Sequence, residues 1–263
     1  MNEKSYISFL SDMRKKLYQH TDAHLQFYNA LLEAQLFLLL REETTGDLLL
    51  PQIREIESNC YVLVFDNEAR LVDFCGDVAP YAAVSGRVLI EMLAGQDTGL
   101  AFNLNVSGSE TLLPQDIIEW LYEVISQSPE ISNARPKRFF PLGQKMEKTL
   151  AMLHEKLAHS TSLARRFFLC GVEYDDGAHG IILAITGANI DAEPELAKLA
   201  HQAFVFGGVY DMVFDVVFLE PNDRTLAAIK KQGIQLQFLK TEEKPSTQGH
   251  IPGRDPDKPP KLI

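Results

Sequence analysis

The spacing of hydrophobic positions changes repeatedly along the chain, and each change predicts an element. Met13, Leu17, Thr21, Leu25, Tyr28, Leu31 and Leu32 recur every three or four residues, which predicts an amphipathic helix from Asp12 to Leu32. The apolar run Leu36–Leu40 follows as a buried strand, and Glu42–Asp47 reads as a loop. Tyr61–Phe65 is β-branched and aromatic, and Asp66-Asn67 is read as a turn into a hairpin partner, Arg70–Phe74. Ser85 is placed to cap a helix carrying Val88, Leu89, Met92 and Leu93, which ends near Gly95. Leu100–Val106 alternates in period two, and Pro114 opens a helix with Ile117, Ile118, Leu121, Val124 and Ile125 on one face.

The second half repeats this mixture of periods. After a helix over Gln144–Ala158, two apolar runs, Ala164–Tyr174 and Gly180–Thr186, flank Asp175-Asp176-Gly177. Asp-Gly between such runs is a strong hairpin signal, because the turn needs positive φ. A helix from Glu193 to Phe204 turns Leu196, Leu199, Ala200, Ala203 and Phe204 inward and stops at Gly207-Gly208. Val213–Leu219 is so nearly continuous in apolar residues that it predicts a strand buried on both faces. A helix begins at Pro221, carries Lys230 and Lys231 in its last turn and ends at Gly233; Ile234–Leu239 follows as an alternating strand. The order is a helix followed by β-β-α-β-α-β.

Between these halves, residues 127–143 hold three prolines and little periodicity, which marks a linker. The fold class is therefore α+β, with two small mixed-sheet domains in tandem, 12–126 and 144–240. Residues 241–263 contain five prolines and almost no apolar side chains, so they are expected to form a disordered tail.

Charge narrows the partners. Against 25 Lys+Arg stand 36 Asp+Glu, a formal net charge of −11. Nucleic acid and anionic membranes both require a basic patch, so neither is expected, whereas a basic protein partner is compatible. Arg135, Lys137 and Arg138 form a local basic cluster beside Phe139 and Phe140, read as a linker whose phenylalanines dock on a domain. Apolar runs such as Leu36–Leu40 are far below the roughly 20 residues that cross a bilayer. The N-terminus lacks a signal-peptide core, and none of Cys60, Cys75 and Cys170 forms a CxxC pair. All three are expected to be buried thiols in a cytoplasmic protein.

Catalytic and metal-binding patterns are sparse. His20 and His24 stand four apart beside Asp22, a chelating spacing with no third ligand identified. His154 and His159 are five apart and splay around a helix; His179 flanks a turn. Ser107-Gly108-Ser109 is not a GxSxG elbow, and Cys75 lies between Asp73 and Asp77, which raises a thiol's pKa. No phosphate-cradling GxGxxG or GxxxxGK[ST] occurs. No cofactor or metal site is predicted. One recognition surface is: Asn103 and Asn105 on the outward face of the 100–106 strand, with Arg87, Glu91 and Glu119 on neighbouring helices.

The block CYVLVFDNEARLVDFCGDVAPYAAVSGRVLIEMLAGQDTGLAFNLNVSGSETLLPQDIIEWL, Cys60–Leu121, resembles the N-terminal domain of the SseB family. The FFLCGVEYDDG hairpin and the VFDVVFLEP strand resemble that family's C-terminal domain. The likeness spans Leu25–Phe238, and it departs at VSGSE, where a proline-containing turn is expected before the LLP helix start. The family is named for a serine-sensitivity phenotype, which implies an indirect metabolic effect and no assigned active site. The secretion-translocon subunit that shares the letters is a coiled-coil protein, and no heptad repeat is sustained here. The reading that follows is a non-enzymatic interaction or regulatory module for a protein partner. The alternative is a small-molecule-binding or enzymatic protein of amino-acid metabolism with its site between the domains. A third option is a homo-oligomeric scaffold built by edge-strand pairing.

Overall fold

The computed structural model describes residues 22–43, 49–106, 109–127, 135–143, 146–160, 162–209 and 213–238. The predicted start of the first helix at Asp12 and the predicted tail both lie outside the described residues. Seven α-helices and two mixed sheets confirm the α+β class. The first half comprises α1 (Asp22–Glu33), β1 (Gln35–Leu39), β2 (Ile53–Ile56), β3 (Asn59–Phe65), α2 (Glu68–Cys75), β4 (Tyr81–Ser85), α3 (Gly86–Leu93), β5 (Thr98–Phe102), β6 (Thr111–Leu113) and α4 (Gln115–Ser126). The second comprises β7 (Pro136–Phe140), α5 (Glu147–Leu157), β8 (Arg166–Tyr174), β9 (His179–Thr186), α6 (Glu193–Phe206), β10 (Val213–Leu219), α7 (Arg224–Gln232) and β11 (Ile234–Leu236).

The first sheet runs β4-β1-β3-β5-β6, with β3 and β5 parallel and β2 pairing the start of β3. Here β1 and β2 share one side of β3, so they act as a single strand interrupted after Leu40. Leu40 bridges Pro51 and Arg41 N–H donates to Leu50, so the chain rejoins the sheet beside the point where it leaves. The second sheet runs β10-β9-β8-β11, with β9 and β10 parallel and β7 beside the end of β8. The basic segment is thus an edge strand of the second sheet. Lys137 and Arg138 both pair across the strands with Glu173, each at 2.9 Å.

Period-two burial divides each sheet into two faces. Leu36, Leu38, Val62, Val64 and Leu100 meet α1, α3 and α4, whereas Leu39, Tyr61, Leu63 and Phe65 meet the short α2. In the second sheet Phe167, Leu169, Ile181, Leu183 and Ile185 meet α5 and α6, and Phe168, Cys170, Val172 and Ile182 meet α7. The helical layers pack back to back. Val205 and Phe206, at the end of α6, belong to the first half's core beside Trp120.

Several predicted elements differ. Arg70–Phe74 is helical and not a strand: Asn67 accepts from Arg70 N–H at 2.9 Å as an N-cap, and left-handed Gly76 closes the helix. The hairpin partner of β3 is β2, joined through Glu57 and Ser58, both at positive φ. The 100–106 strand ends at Phe102, because Asn103 turns left-handed at φ 50°. β10 is not fully buried: both faces carry packed side chains, but among the described residues it is an edge strand, and Val213 is 50% exposed. α7 starts at Arg224, where Asp223 accepts from Thr225 N–H at 2.6 Å.

Candidate functional site

Three places gather polar or exposed apolar side chains: the seam between the halves, a cleft at the strand starts, and the outer face of the first sheet. At the seam, Glu33 ends α1, Arg87 opens α3, Lys156 lies in the last turn of α5, and Gln202 is on α6. Glu33 Oε1 accepts from Lys156 Nζ at 2.5 Å and from Arg87 Nη2 at 2.6 Å, and the same Arg87 nitrogen donates to Gln202 Oε1 at 2.8 Å. Asn29 Nδ2 donates to Glu155 Oε1 at 2.9 Å. The Lys156 side chain is 4% exposed and Glu33 47%. Burial alone would raise the Glu33 carboxyl, but hydrogen bonds from Lys156 and Arg87 outweigh it and hold it below its ordinary value. Burial lowers the Lys156 ammonium, and the Glu33 contact only partly opposes that. The cavity between Gln26, Lys148, Met152 and Phe206 measures about 80 Å³. Small-molecule sites run to roughly 300–1,000 Å³, so this space suits water and not a metabolite.

The cleft lies where β3 and β5 begin, lined by Asn59, Cys60, Tyr61, Asp97, Gly99 and Gln115, and encloses about 240 Å³. Gln115 Nε2 donates to Asp97 Oδ1 at 2.8 Å across it. Gly99 is required for packing, since a Cβ there would come 2.5 Å from Leu113 O and 2.7 Å from the Tyr61 ring.

Among the described residues the one helix on the outer face of the first sheet is α2, eight residues long, joined there by Leu104 and Ala79. Phe74 of α2 itself and Phe37, Ile56 and Ala79 around it are partly buried there, while Val72 on the helix, Tyr81 and Val78 are 40%, 41% and 88% exposed. The rings are already ordered: Phe37 meets Tyr81 edge-on at 5.5 Å, Phe65 meets Phe74 at 5.3 Å, and Arg54 lies 5.9 Å over Phe74. Tyr81 donates its hydroxyl to Glu68, and that bond raises the phenol. Around this strip, residues 66–77 carry four acids, Asp66, Glu68, Asp73 and Asp77, against one base, Arg70, which pairs with Asp66. An ordered apolar strip under an acidic rim is chemically suited to an apolar segment flanked by lysine or arginine.

The five residues predicted as a surface do not come together. Arg87 is in the seam, and Asn103 is fully buried, accepting from Asp66 N–H and donating to Ser109. Glu119 accepts from Gly95 N–H at 2.7 Å. Glu91 and Asn105 are exposed on separate elements. The cysteine expectation holds only for Cys170, whose burial pushes the thiol up to about 11; Cys60 and Cys75 are exposed. Burial still raises Cys75, so the direction expected for it holds with a different cause. His20, His250 and the side chain of His159 lie outside the described residues. His24 stacks on Tyr28, His154 contacts the carbonyls of Leu150 and Gln237, and exposed His179 lies against Phe140. Among the described residues no three His, Cys, Asp or Glu side chains are placed to hold a metal, and no helix is long and apolar enough to cross a membrane.

Residues 14–120 match the family model of the SseB protein N-terminal domain. No curated protein and no solved structure matches the chain.

Proposed function

On the premise that the chain belongs to the SseB family through its N-terminal domain, we propose that it is a non-enzymatic cytoplasmic interaction module, which receives a basic protein segment on the outer face of that domain. The observation carrying this reading is the strip formed by Val72 and Phe74 on the eight-residue α2 with Val78 and Tyr81 after it, rimmed by Glu68, Asp73 and Asp77. Exposed apolar positions clustered with ordered aromatic rings supply the contact area, and the acids select the partner's charge and speed its approach. The seam supports the same reading in another way. Its ion pairs and shared apolar core hold the two halves together, so a partner meets one preformed surface and little binding free energy is lost to ordering.

The test is to tag the protein in its native cell, identify what co-purifies, and rebuild the pair from purified components. The module reading expects a partner with a basic, apolar segment whose affinity falls at least tenfold with Val78→Asp and also weakens as salt rises. A partner that binds Val78→Asp as well as the native protein, or is indifferent to salt, would overturn the assignment of this face. A metabolite that raises the melting temperature by several degrees, with no partner recovered, would favour the small-molecule alternative.

A further inference from the structure

The clue is a mismatch between what Val213–Leu219 looks like and where it sits. The run VFDVVFL has the composition of a strand enclosed on both sides, yet among the described residues β10 pairs only with β9 and is only half covered. Both faces of the strand are already occupied. Phe214, Val216 and Phe218 pack on the α5 and α6 side, and Val217 and Leu219 on the α7 side. What remains open is its long edge.

Most other edges carry features that block strand addition. β7 has Pro136, Lys137 and Arg138, β2 has Arg54 and Glu55, and β6 and β11 are three residues long. β4, at the end of the first sheet, has neither proline nor charge, but at five residues it is shorter than β10 and holds two alanines and a serine where β10 is almost wholly large and apolar. β10 has seven residues, no proline and one charge, Asp215, whose carboxylate already accepts from the Tyr174 hydroxyl. We propose that β10 is the pairing edge of a homodimer, in which two copies run antiparallel about a twofold axis through Val216 and join the two five-stranded sheets into one.

The strand is complementary to itself in that register. Val213 opposes Leu219, Phe214 opposes Phe218, Asp215 opposes Val217, and Val216 opposes its own copy. Each opposed pair therefore joins side chains from the same face of the sheet, apolar against apolar at every position except Asp215. The two Asp215 carboxylates fall diagonally, about 7–8 Å apart, and not directly opposite. A twofold contact uses one patch twice and closes at two subunits, so no further edge of this kind is left exposed.

The full-length chain at tens of micromolar is measured by sedimentation equilibrium, with variants Val216→Lys, Val213→Lys and, on another edge, Leu112→Lys. The expected mass of the native chain is twice 29.5 kDa. Val216→Lys places two ammonium groups on the axis and is expected to give monomers. Val213 is half exposed, so Val213→Lys keeps the fold while weakening the dimer at least tenfold, and Leu112→Lys remains dimeric. Circular dichroism establishes that each variant is folded. A native monomer overturns the proposal, and if its 213–219 amides also exchange slowly, another segment of the same chain covers the edge. Folded β10 variants that stay dimeric overturn it as well, as does dissociation by Leu112→Lys alone.

Discussion

Removing one partner of the Glu33–Lys156 pair is predicted to have very different consequences depending on which side is removed. In Glu33→Ala the Lys156 ammonium, 4% exposed in the native protein, loses its acceptor, and Arg87 loses one of its two partners. Breaking a buried pair in this way costs about 3–5 kcal/mol. Glu155 also acts on the Lys156 charge, and burial already lowers its affinity for the proton, so both limit the loss to about 2–3 kcal/mol. Lys156→Met is different. The methionine packs beside Phe206, and Glu33 remains half exposed with Arg87, so the cost is under about 1 kcal/mol. At about 2–4 °C per kcal/mol, Glu33→Ala lowers the melting temperature by about 4–12 °C and Lys156→Met by less than about 4 °C. Scanning calorimetry at pH 7 measures both. The folded carboxyl lies below its ordinary value of 4.5, so its contribution is present above that pH and is lost as pH falls through the folded-state value. The gap between the native protein and Glu33→Ala is therefore expected to close in acid. A Lys156→Met loss equal to or larger than that of Glu33→Ala would refute the argument, as would a gap that persists in acid.

Three further outcomes are expected. Asn67→Ala removes the cap of α2 and costs about 1 kcal/mol, seen as a small drop in melting temperature. Gly86→Ala is far more severe: its Cβ would fall 1.8 Å from Leu31 O, which drives α3 away from α1 and costs several kcal/mol, measurable as loss of soluble folded protein or by denaturant titration. A colorimetric thiol reagent is expected to label Cys60 and Cys75 in the native protein and Cys170 only after denaturation.

The elements that were legible in the sequence carry their information locally. Ser85 caps α3, left-handed Gly177 turns the β8–β9 hairpin, and Gly207-Gly208 ends α6, each as its residue type predicts. α2 was misread because Asp66-Asn67 was taken as a hairpin turn, whereas Asn67 and Gly76 punctuate the segment between them as a helix. β2 was missed because its turn, Glu57-Ser58, uses two residues that rarely accept positive φ. The exposure of Cys60 reflects its place at the start of β3, beyond the covering layers. Nothing local announces the seam: Glu33 and Lys156 are 123 positions apart, and Arg87 and Gln202 are 115. The outer strip escaped for the opposite reason. Val72 and Tyr81 look like core, yet Val72 lies on α2 away from the sheet and Tyr81 follows beyond the helix's end, so both stay exposed.

The contribution of Val205 and Phe206 to the first half's core has a consequence for synthesis. The ribosome makes Trp120 and Ile125 long before the residues that complete their packing, since Phe206 lies 81 positions after Ile125. At about 5–20 residues per second, that interval lasts about 4–16 s. Throughout it, the nascent N-terminal half presents an apolar hollow around Tyr28 and Trp120 that its own residues do not fill. The end of α6 therefore acts as a late plug, and a chain that stalls before position 205 emerges with that hollow open to chaperones and to aggregation.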